Sequence, residues 1–413
     1  MKESSPGIGL AGMVAAIAAQ AMLACGSGFP ASNDTVFTLF LLDSEAAICR
    51  EDYFAVIQSS QAAAFRAEIE RQAAFGTSGT PTADTATISG LPAGADKWTG
   101  AVLAPNGRIY GIPRNATSVL IIDPTTNTAD TTTMTGLPAS TDKYAGGVLA
   151  PNGKIYAVPS SATNVLIIDP STNTYDQTTI TGLPAAVFKW AGGVLAPNGK
   201  IYMIPLLNTN VLIVDPSTNT YNMAAIMLPG ATPAWSGAVL HTNGKIYAFA
   251  RDRTAVLIID PNTDTADVVS LTLPAGSEKY SSGALLNDGR IVAVPASGTN
   301  AVILDVANGT VDTATLSGMV ATAYKYDGAV RSADGRVFAP PNQGASILIV
   351  NANATGFDTA TLAIGPGWAG GVLAPNGMIY GVPTTATSAF ILNPRSNGRL
   401  CQSLLLSAYL NKL

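Results

Sequence analysis

A short segment, a Gly-containing turn followed by an apolar strand, recurs seven times in these 413 residues and leaves few folds open to the chain. It is first met as Pro105-Asn106-Gly107-Arg108-Ile109-Tyr110, and its turn glycines are Gly107, Gly153, Gly199, Gly244, Gly289, Gly335 and Gly377. Successive copies therefore lie 46, 46, 45, 45, 46 and 42 residues apart. A strand-rich unit at that period cannot bury its apolar face alone, and seven of them stacked around an axis make a β-propeller.

The third copy shows the unit most clearly. Its first strand, A, is expected at about Gly192 to Ala196, and Asn198-Gly199 supplies the positive-φ residues of a tight hairpin into strand B, Lys200 to Ile204. Strand C is the β-branched run Val211 to Val214. It ends at Asp215-Pro216, where proline cannot continue a ladder, and a turn leads to strand D near Tyr221 to Met227. Strands apolar on both faces suit sheets covered on both sides, as blades in a ring are.

The ends of the array predict how the ring closes. Residues 82 to 92 read as a strand D with no A, B or C before it, and resemble Phe357 to Leu362. The last copy supplies A (Gly370 to Ala374), B (Ile379 to Val382) and C (Ala389 to Leu392), then leaves the pattern at Asn393-Pro394. The N-terminal strand should become the outer strand of the seventh blade, which removes the open edge. The expected fold is all-β: a seven-bladed propeller of four-stranded blades over 82–396, with a helical N-terminal segment, 1–81, and a short C-terminal helix within 397–413.

The repeat, an apolar strand, then Asn-Gly-Lys-Ile-Tyr, a link, an apolar run ending Asp-Pro and a Thr-Asn-Thr before an aromatic, resembles kelch-like β-propeller repeats. It departs from them at Val158-Pro159, Ile204-Pro205 and Val382-Pro383, where that family carries a double glycine, and at Tyr175, Tyr221 and Ala129, where it carries tryptophan. The resemblance implies architecture. Kelch-like propellers include interaction scaffolds, lectin-like modules and some enzymes, so it leaves function open.

Outside the ring, residues 7–24 are uncharged and lead into Cys25-Gly26-Ser27-Gly28. They read as a small-residue helix packed in an assembly, as a lipoprotein or secretory signal ending at Met22-Leu23-Ala24-Cys25, or as a membrane span. From Asp43 to Phe75 the spacing of Phe54, Ile57, Ala64, Phe65 and Ile69 predicts an amphipathic helix, and a second is expected over Leu400 to Leu410. Cys49 and Cys401 would then lie near each other, as a disulfide or as two buried thiols. Three cysteines match no zinc spacing.

With 12% charged residues and a net charge of -5, nothing here resembles a nucleic-acid surface, which needs clustered Lys and Arg. A single histidine, His241, in the fourth A-to-B hairpin, rules out a multi-histidine metal site and reads as a solvated turn residue. Asp260, Asp264 and Asp267 are spaced like calcium-loop ligands, but the turn lacks the central Gly and distal Glu, and reads as plain structure. Arg108, Lys154, Lys200, Lys245, Arg290 and Arg336 each open a strand B, where a cross-strand ion pair with the Asp ending strand C explains them. No catalytic residue, metal or cofactor is indicated.

The best candidate for binding lies nine residues before each turn glycine, where the residue is always aromatic: Trp98, Tyr144, Trp190, Trp235, Tyr280, Tyr326 and Trp368. Lysine precedes five of them, at Lys97, Lys143, Lys189, Lys279 and Lys325. These residues enter strand A from the D-to-A loops, on the face shared with the polar B-to-C loops, where rings could stack on sugars and lysines attract anions. Alternatively the rings wedge blade against blade, as the glycines at 100, 146, 192, 237, 328 and 370 suggest, and the lysines are solvated.

Composition and organisation point to a non-enzymatic binding or structural protein: a subunit of a larger particle such as a phage virion, in its tail, fibre or decoration, whose propeller contacts a host-surface glycan or protein. Its partners would be other subunits, met through the N-terminal helices, and its location the virion or an extracellular surface. The alternatives are a lipid-anchored or secreted carbohydrate-binding propeller on a bacterial outer surface, a propeller-fold lyase or hydrolase, and an intracellular scaffold.

Overall fold

Asn-Gly or Asp-Gly at each hairpin tip, and Asp-Pro at the end of the third strand in blades 1 to 4, divide the chain into short antiparallel strands. In the computed structural model, which describes residues 80–230 and 234–395, these strands form seven four-stranded sheets. Blade 1 comprises β2 (Trp98–Leu103), β3 (Ile109–Pro113), β4 (Leu120–Asp123) and β5 (Thr128–Asp130), hydrogen-bonded in that order. Blades 2 to 5 repeat it from β6 (Tyr144–Leu149) to β21 (Thr310–Asp312), and blade 6 runs from β22 (Val330–Arg331) to β25 (Phe357–Asp358).

Blade 7 is assembled from both ends of the ring. β26 (Trp368–Leu373), β27 (Ile379–Pro383) and β28 (Ala389–Asn393) take as their fourth strand β1 (Thr82–Ile88), which pairs Thr82 with Asn393 and Ile88 with Ala389. The expected closure is therefore present. The outer strands are shorter than expected: in blade 3 the fourth strand is only Thr220–Asn222, because Asn222 turns its side chain onto the N–H groups of Ala224 and Ala225 and ends the ladder.

The core lies between blades rather than inside one. Tyr110, Ile112 and Ile121 of blade 1 pack with Tyr144, Leu149 and Ile155 of blade 2 in one buried cluster. At the innermost wall the strands approach backbone to backbone. A Cβ on Gly192 would stand 2.8 Å from the Cα of Gly237, and one on Gly370 would stand 2.6 Å from the Cα of Gly100, so no other side chain fits at those two positions. Both also have positive φ, at a bulge in the inner strand. Blade 5 carries Ser282 at this register, with its Oγ buried and unpartnered.

The turn motif ties each blade to the next. Asn152 Nδ2 donates to Tyr156 Oη and to the carbonyl of Pro216, while Tyr156 Oη donates to Asn219 Oδ1 at 2.6 Å, in the C-to-D turn of the following blade. Asn219 sits at φ 53°, a conformation asparagine tolerates. Tyr110 reaches Asn173 in the same way, Tyr202 reaches Asp264, and Tyr380 reaches Asn127, across the closure.

Several expectations change at these contacts. Arg108, Lys154 and Lys245 do pair with Asp123, Asp169 and Asp260 across the sheet, at 3.3, 3.1 and 3.4 Å. Arg290 and Arg336 instead fold onto Asp288 and Asp334 in their own hairpins and reach the carbonyls of Asn353 and Pro394 in the next blade. His241 is not a free turn residue. Its Nδ1 accepts the N–H of Asn243, which leaves Nε2 to donate to the carbonyl of Gly289 in blade 5 at 2.8 Å, and the ring packs edge-on against Tyr247.

The helices expected over 1–81 and 397–413, and the pairing of Cys49 with Cys401, lie outside the described residues. Among the described residues no helix is long and apolar enough to cross a membrane.

Candidate functional site

The D-to-A and B-to-C loops meet on one face, as the repeat predicts, and the Lys-aromatic pairs hold them together. All seven rings are buried, at no more than 5% exposure. The indole N–H groups of Trp98, Trp190, Trp235 and Trp368 donate to the carbonyls of Ser118, Asn210, Ala255 and Ser388, each 20 residues on in the same blade, at 2.7–2.8 Å. The Tyr144 hydroxyl donates instead to the side-chain oxygen of Asn164, also 20 residues on. Tyr280 and Tyr326 are buried at the same position.

The lysines are buried too, which corrects their reading as solvated side chains. Lys189 is 1% exposed, and its ammonium donates to the carbonyls of Ser160 and Ala162 in the preceding blade and of Ala186 in its own loop, at 2.9–3.0 Å. Lys97 does the same with Thr384, Ala386 and Gly94, Lys279 with Arg253 and Gly276, and Lys325 with Gly298 and Thr322. Lys143 bonds Ser140. Burial lowers the pKa of all five, that of Lys189 to about 8.

Stacking on a ligand needs an open ring face, and these rings have none. Lys97, Lys189 and Arg253 lie 5.9, 5.7 and 5.5 Å from the ring centroids of Trp98, Trp190 and Trp235. The arrangement is that of a wedge with its own cation.

The groups that do face solvent on this side precede each lysine by one position. Asp96, Asp142, Phe188, Glu278 and Tyr324 all have φ between 47° and 53°, a conformation that aspartate tolerates and that strains Phe188, Glu278 and Tyr324. Their carbonyls are fixed by an amide of the B-to-C loop in the same blade, as Ser161 N–H donates to Asp142 and Gln343 N–H to Tyr324. The backbone is thus constant while the side chain changes from blade to blade.

Two arginines at the start of B-to-C loops complete the rim of the channel. Arg114 pairs with Asp142 at 2.7 Å and with Asp96 at 3.7 Å. Arg251 binds Glu278 at 3.0 Å and the hydroxyl of Tyr324 at 2.9 Å, and its guanidinium lies 5.6 Å from the Tyr324 ring centroid. Asp327, three residues before β22, belongs to the same group. Burial raises its pKa, Arg114 and Arg251 draw it back, and Asp96 opposes them, so one carboxylate senses both arginines. At blade 3 the rim is apolar, with Val187 and Leu207 exposed beside Phe188.

Of these rim residues, the sequence reading reaches only Arg114, as part of a polar B-to-C loop. The signal was nonetheless present: the position before the lysine reads Asp, Asp, Phe, Glu and Tyr between neighbours that barely change. The calcium-like carboxylates are all used by turns. Asp264 accepts from Tyr202, Asp260 from Asn262, and Asp267 from Val269 and Ser270. Among the described residues no group of three or more metal-ligating side chains occurs.

No protein-family model matches the chain, and no curated protein matches it in sequence. Its fold is shared with solved propellers. A catalytically inactive histidine-to-alanine variant of virginiamycin B lyase from Staphylococcus aureus, solved with quinupristin, superposes with a TM-score of 0.62 at 13% identity, over 76% of this chain and 99% of that one. A chain of hydrazine synthase from Kuenenia stuttgartiensis gives 0.56 at 13% identity over 74% and 98%. The extracellular domain of the one component system BT4673 from B. thetaiotaomicron gives 0.56 at 12% identity, over 75% of this chain and 39% of that one. These likenesses establish a seven-bladed β-propeller and carry nothing about activity.

Proposed function

We propose that this chain is a non-enzymatic binding and structural protein, a subunit of a larger particle, whose propeller meets its partner at the rim of the channel. One observation carries the reading: the repeated polar side chains are spent on the scaffold, and the residues that vary between repeats gather at the rim. Lysines saturate carbonyls, tyrosines and asparagines join blades, and His241 bonds Gly289 beyond the A-to-B hairpins. What is left on the opposite face is a ring of differing side chains, charged at Arg114 and Arg251 and apolar at Val187 and Leu207, which suits recognition of a surface.

A virion component that contacts a host glycan or protein is the concrete form of this proposal, supported by the low charge and by the 81 residues that precede the ring. A carbohydrate-binding propeller remains the second reading, but through rim groups, because the buried tryptophans offer no platform. Native mass spectrometry of the full-length chain in its source material tests the first. Recovery in fixed stoichiometry within a particle is expected, and recovery only as a free monomer, or with lipid on Cys25, would overturn it. Binding to a glycan array that survives Arg114→Ala/Arg251→Ala unchanged would remove the rim from the reading.

A further inference from the structure

We propose that Asn308-Gly309, in the turn between β20 (Val302–Asp305) and β21, is the site at which the folded chain deamidates, by closure of the Asn308 side chain onto the Gly309 nitrogen. Six Asn-Gly pairs lie in the described residues. Five stand at hairpin tips, Asn106-Gly107, Asn152-Gly153, Asn198-Gly199, Asn243-Gly244 and Asn376-Gly377, and the sixth is this one. Glycine after asparagine favours the reaction because no Cβ shields the attacking nitrogen. By sequence alone all six are marked alike.

The fold separates them. In all five hairpins the glycine N–H, the group that must attack, donates to the carbonyl three residues back, as Gly153 does to Ala150 at 3.0 Å. The asparagine amide, the group attacked, is held at both ends: Asn152 Oδ1 accepts the N–H of Lys154, and its Nδ2 donates to Tyr156 and to the Pro216 carbonyl of the next blade. Asn106, Asn198 and Asn376 repeat these contacts, and Asn243 keeps those to Lys245 and Tyr247. Exposure does not distinguish the pairs, since Asn152 and Asn308 are both exposed. Hydrogen bonding does.

Asn308-Gly309 lacks both the glycine bond and the tie to a neighbouring blade. Four residues after the aspartate that ends the third strand, blades 1 to 4 carry Asn127, Asn173, Asn219 and Asp264, and each accepts the tyrosine hydroxyl of the blade before. In blade 5 that position is Gly309, at φ 64°, and the asparagine comes one residue earlier, out of register with those acceptors. Asn308 is tied within its own turn, where its N–H and Nδ2 donate to the Asp305 carboxylate at 3.0 and 2.8 Å. Among the described residues no hydrogen bond reaches its Oδ1 or the N–H of Gly309. The Gly309 nitrogen, its proton lost to hydroxide, bonds to Cγ of Asn308, the Cγ–Nδ2 bond breaks, and Nδ2 leaves as ammonia after taking a proton from water. Water then opens the succinimide at either carbonyl. Aspartate or isoaspartate is left at position 308, and a new carboxylate stands where an amide now meets Asp305.

Peptide mapping with fragmentation tests this, on the full-length chain aged in mildly alkaline buffer both folded and in urea. In the folded chain Asn308 is expected to show the mass gain of an amide-to-acid conversion at least about tenfold faster than any of the five hairpin asparagines, the equivalent of one hydrogen bond that must open first. In urea the six pairs are expected to convert at comparable rates. Gly309→Asn fits the backbone, since nothing stands within 4 Å of a Cβ there, and it is expected to slow conversion at Asn308 by shielding the nitrogen. A hairpin asparagine that converts as fast as Asn308 in the folded chain would overturn the proposal. So would an equal lead for Asn308 in urea, an unchanged rate in Gly309→Asn, or an Asn308 that stays intact in the folded chain while the urea sample converts.

Discussion

Lysine at a buried position is tolerated only where its donors are used, and Lys189 shows what that use does to its titration. Its three carbonyl partners offset the loss of water, but burial still depresses its pKa to about 8. Below that value the folded and unfolded chains both carry the proton. Between about 8 and the ordinary lysine value near 10.5 the unfolded chain keeps it while the folded chain has released it, so stability rises with pH across that window. Urea unfolding at pH 7 to 10 is expected to show Lys189→Met less stable at pH 7 by about 1–3 kcal/mol, the cost of orphaned buried acceptors. The pH slope of the variant should be lower by up to about 1.4 kcal/mol per pH unit. An unchanged slope would mean the ammonium is not desolvated.

At the scale of the element, a single Asn-Gly hairpin does two jobs, closing strand A onto B and reaching the next blade. Tyr156 bonds Asn219 across a blade junction, whereas Tyr247 receives Asn243 from its own hairpin and lies against His241. Tyr156→Phe is therefore expected to cost about 1 kcal/mol and Tyr247→Phe measurably less, read as shifts in the urea midpoint. Equal losses would show that the bond across the junction adds nothing. This division also explains what could be read from the sequence. Hairpins, strand ends and the closure by β1 depend on local chemistry, Asn198-Gly199 or Asp215-Pro216, and are legible along the chain. The burial of Lys97 depends on what a neighbouring blade brings near, and no local pattern contains that, whereas the pairing of Arg290 with its own hairpin is legible in Asp288, which stands where blades 1 to 4 carry asparagine. The carboxylates at the outer edge illustrate the same limit: Asp130 takes the N–H groups of Thr132 and Thr133 and the Thr133 hydroxyl, a turn device that recurs at Asp176, Asp312 and Asp358.

For the whole molecule, the closure is secured by the devices that join consecutive blades, and better than the junction of blades 4 and 5. Blades 7 and 1 are joined by Tyr380 to Asn127, by Lys97 to Thr384 and Ala386, and by the approach of Gly370 to Gly100, with β1 sealing the outer edge. At blades 4 and 5 the tyrosine bond gives way to His241 on Gly289, and Ser282 stands in place of the inner glycine. Native-state hydrogen exchange is expected to find amides of β14 (Trp235–Leu240) and β18 (Tyr280–Leu285) opening before those of β26 and β28. Earlier opening at the closure would show that the termini are the weak point instead. The rim carries a different consequence. A left-handed backbone costs Phe188, Glu278 and Tyr324 roughly 1 kcal/mol each that glycine would not meet. The ring keeps side chains at these positions against that penalty, which puts the means to tell partners apart where the backbone itself would sooner have none.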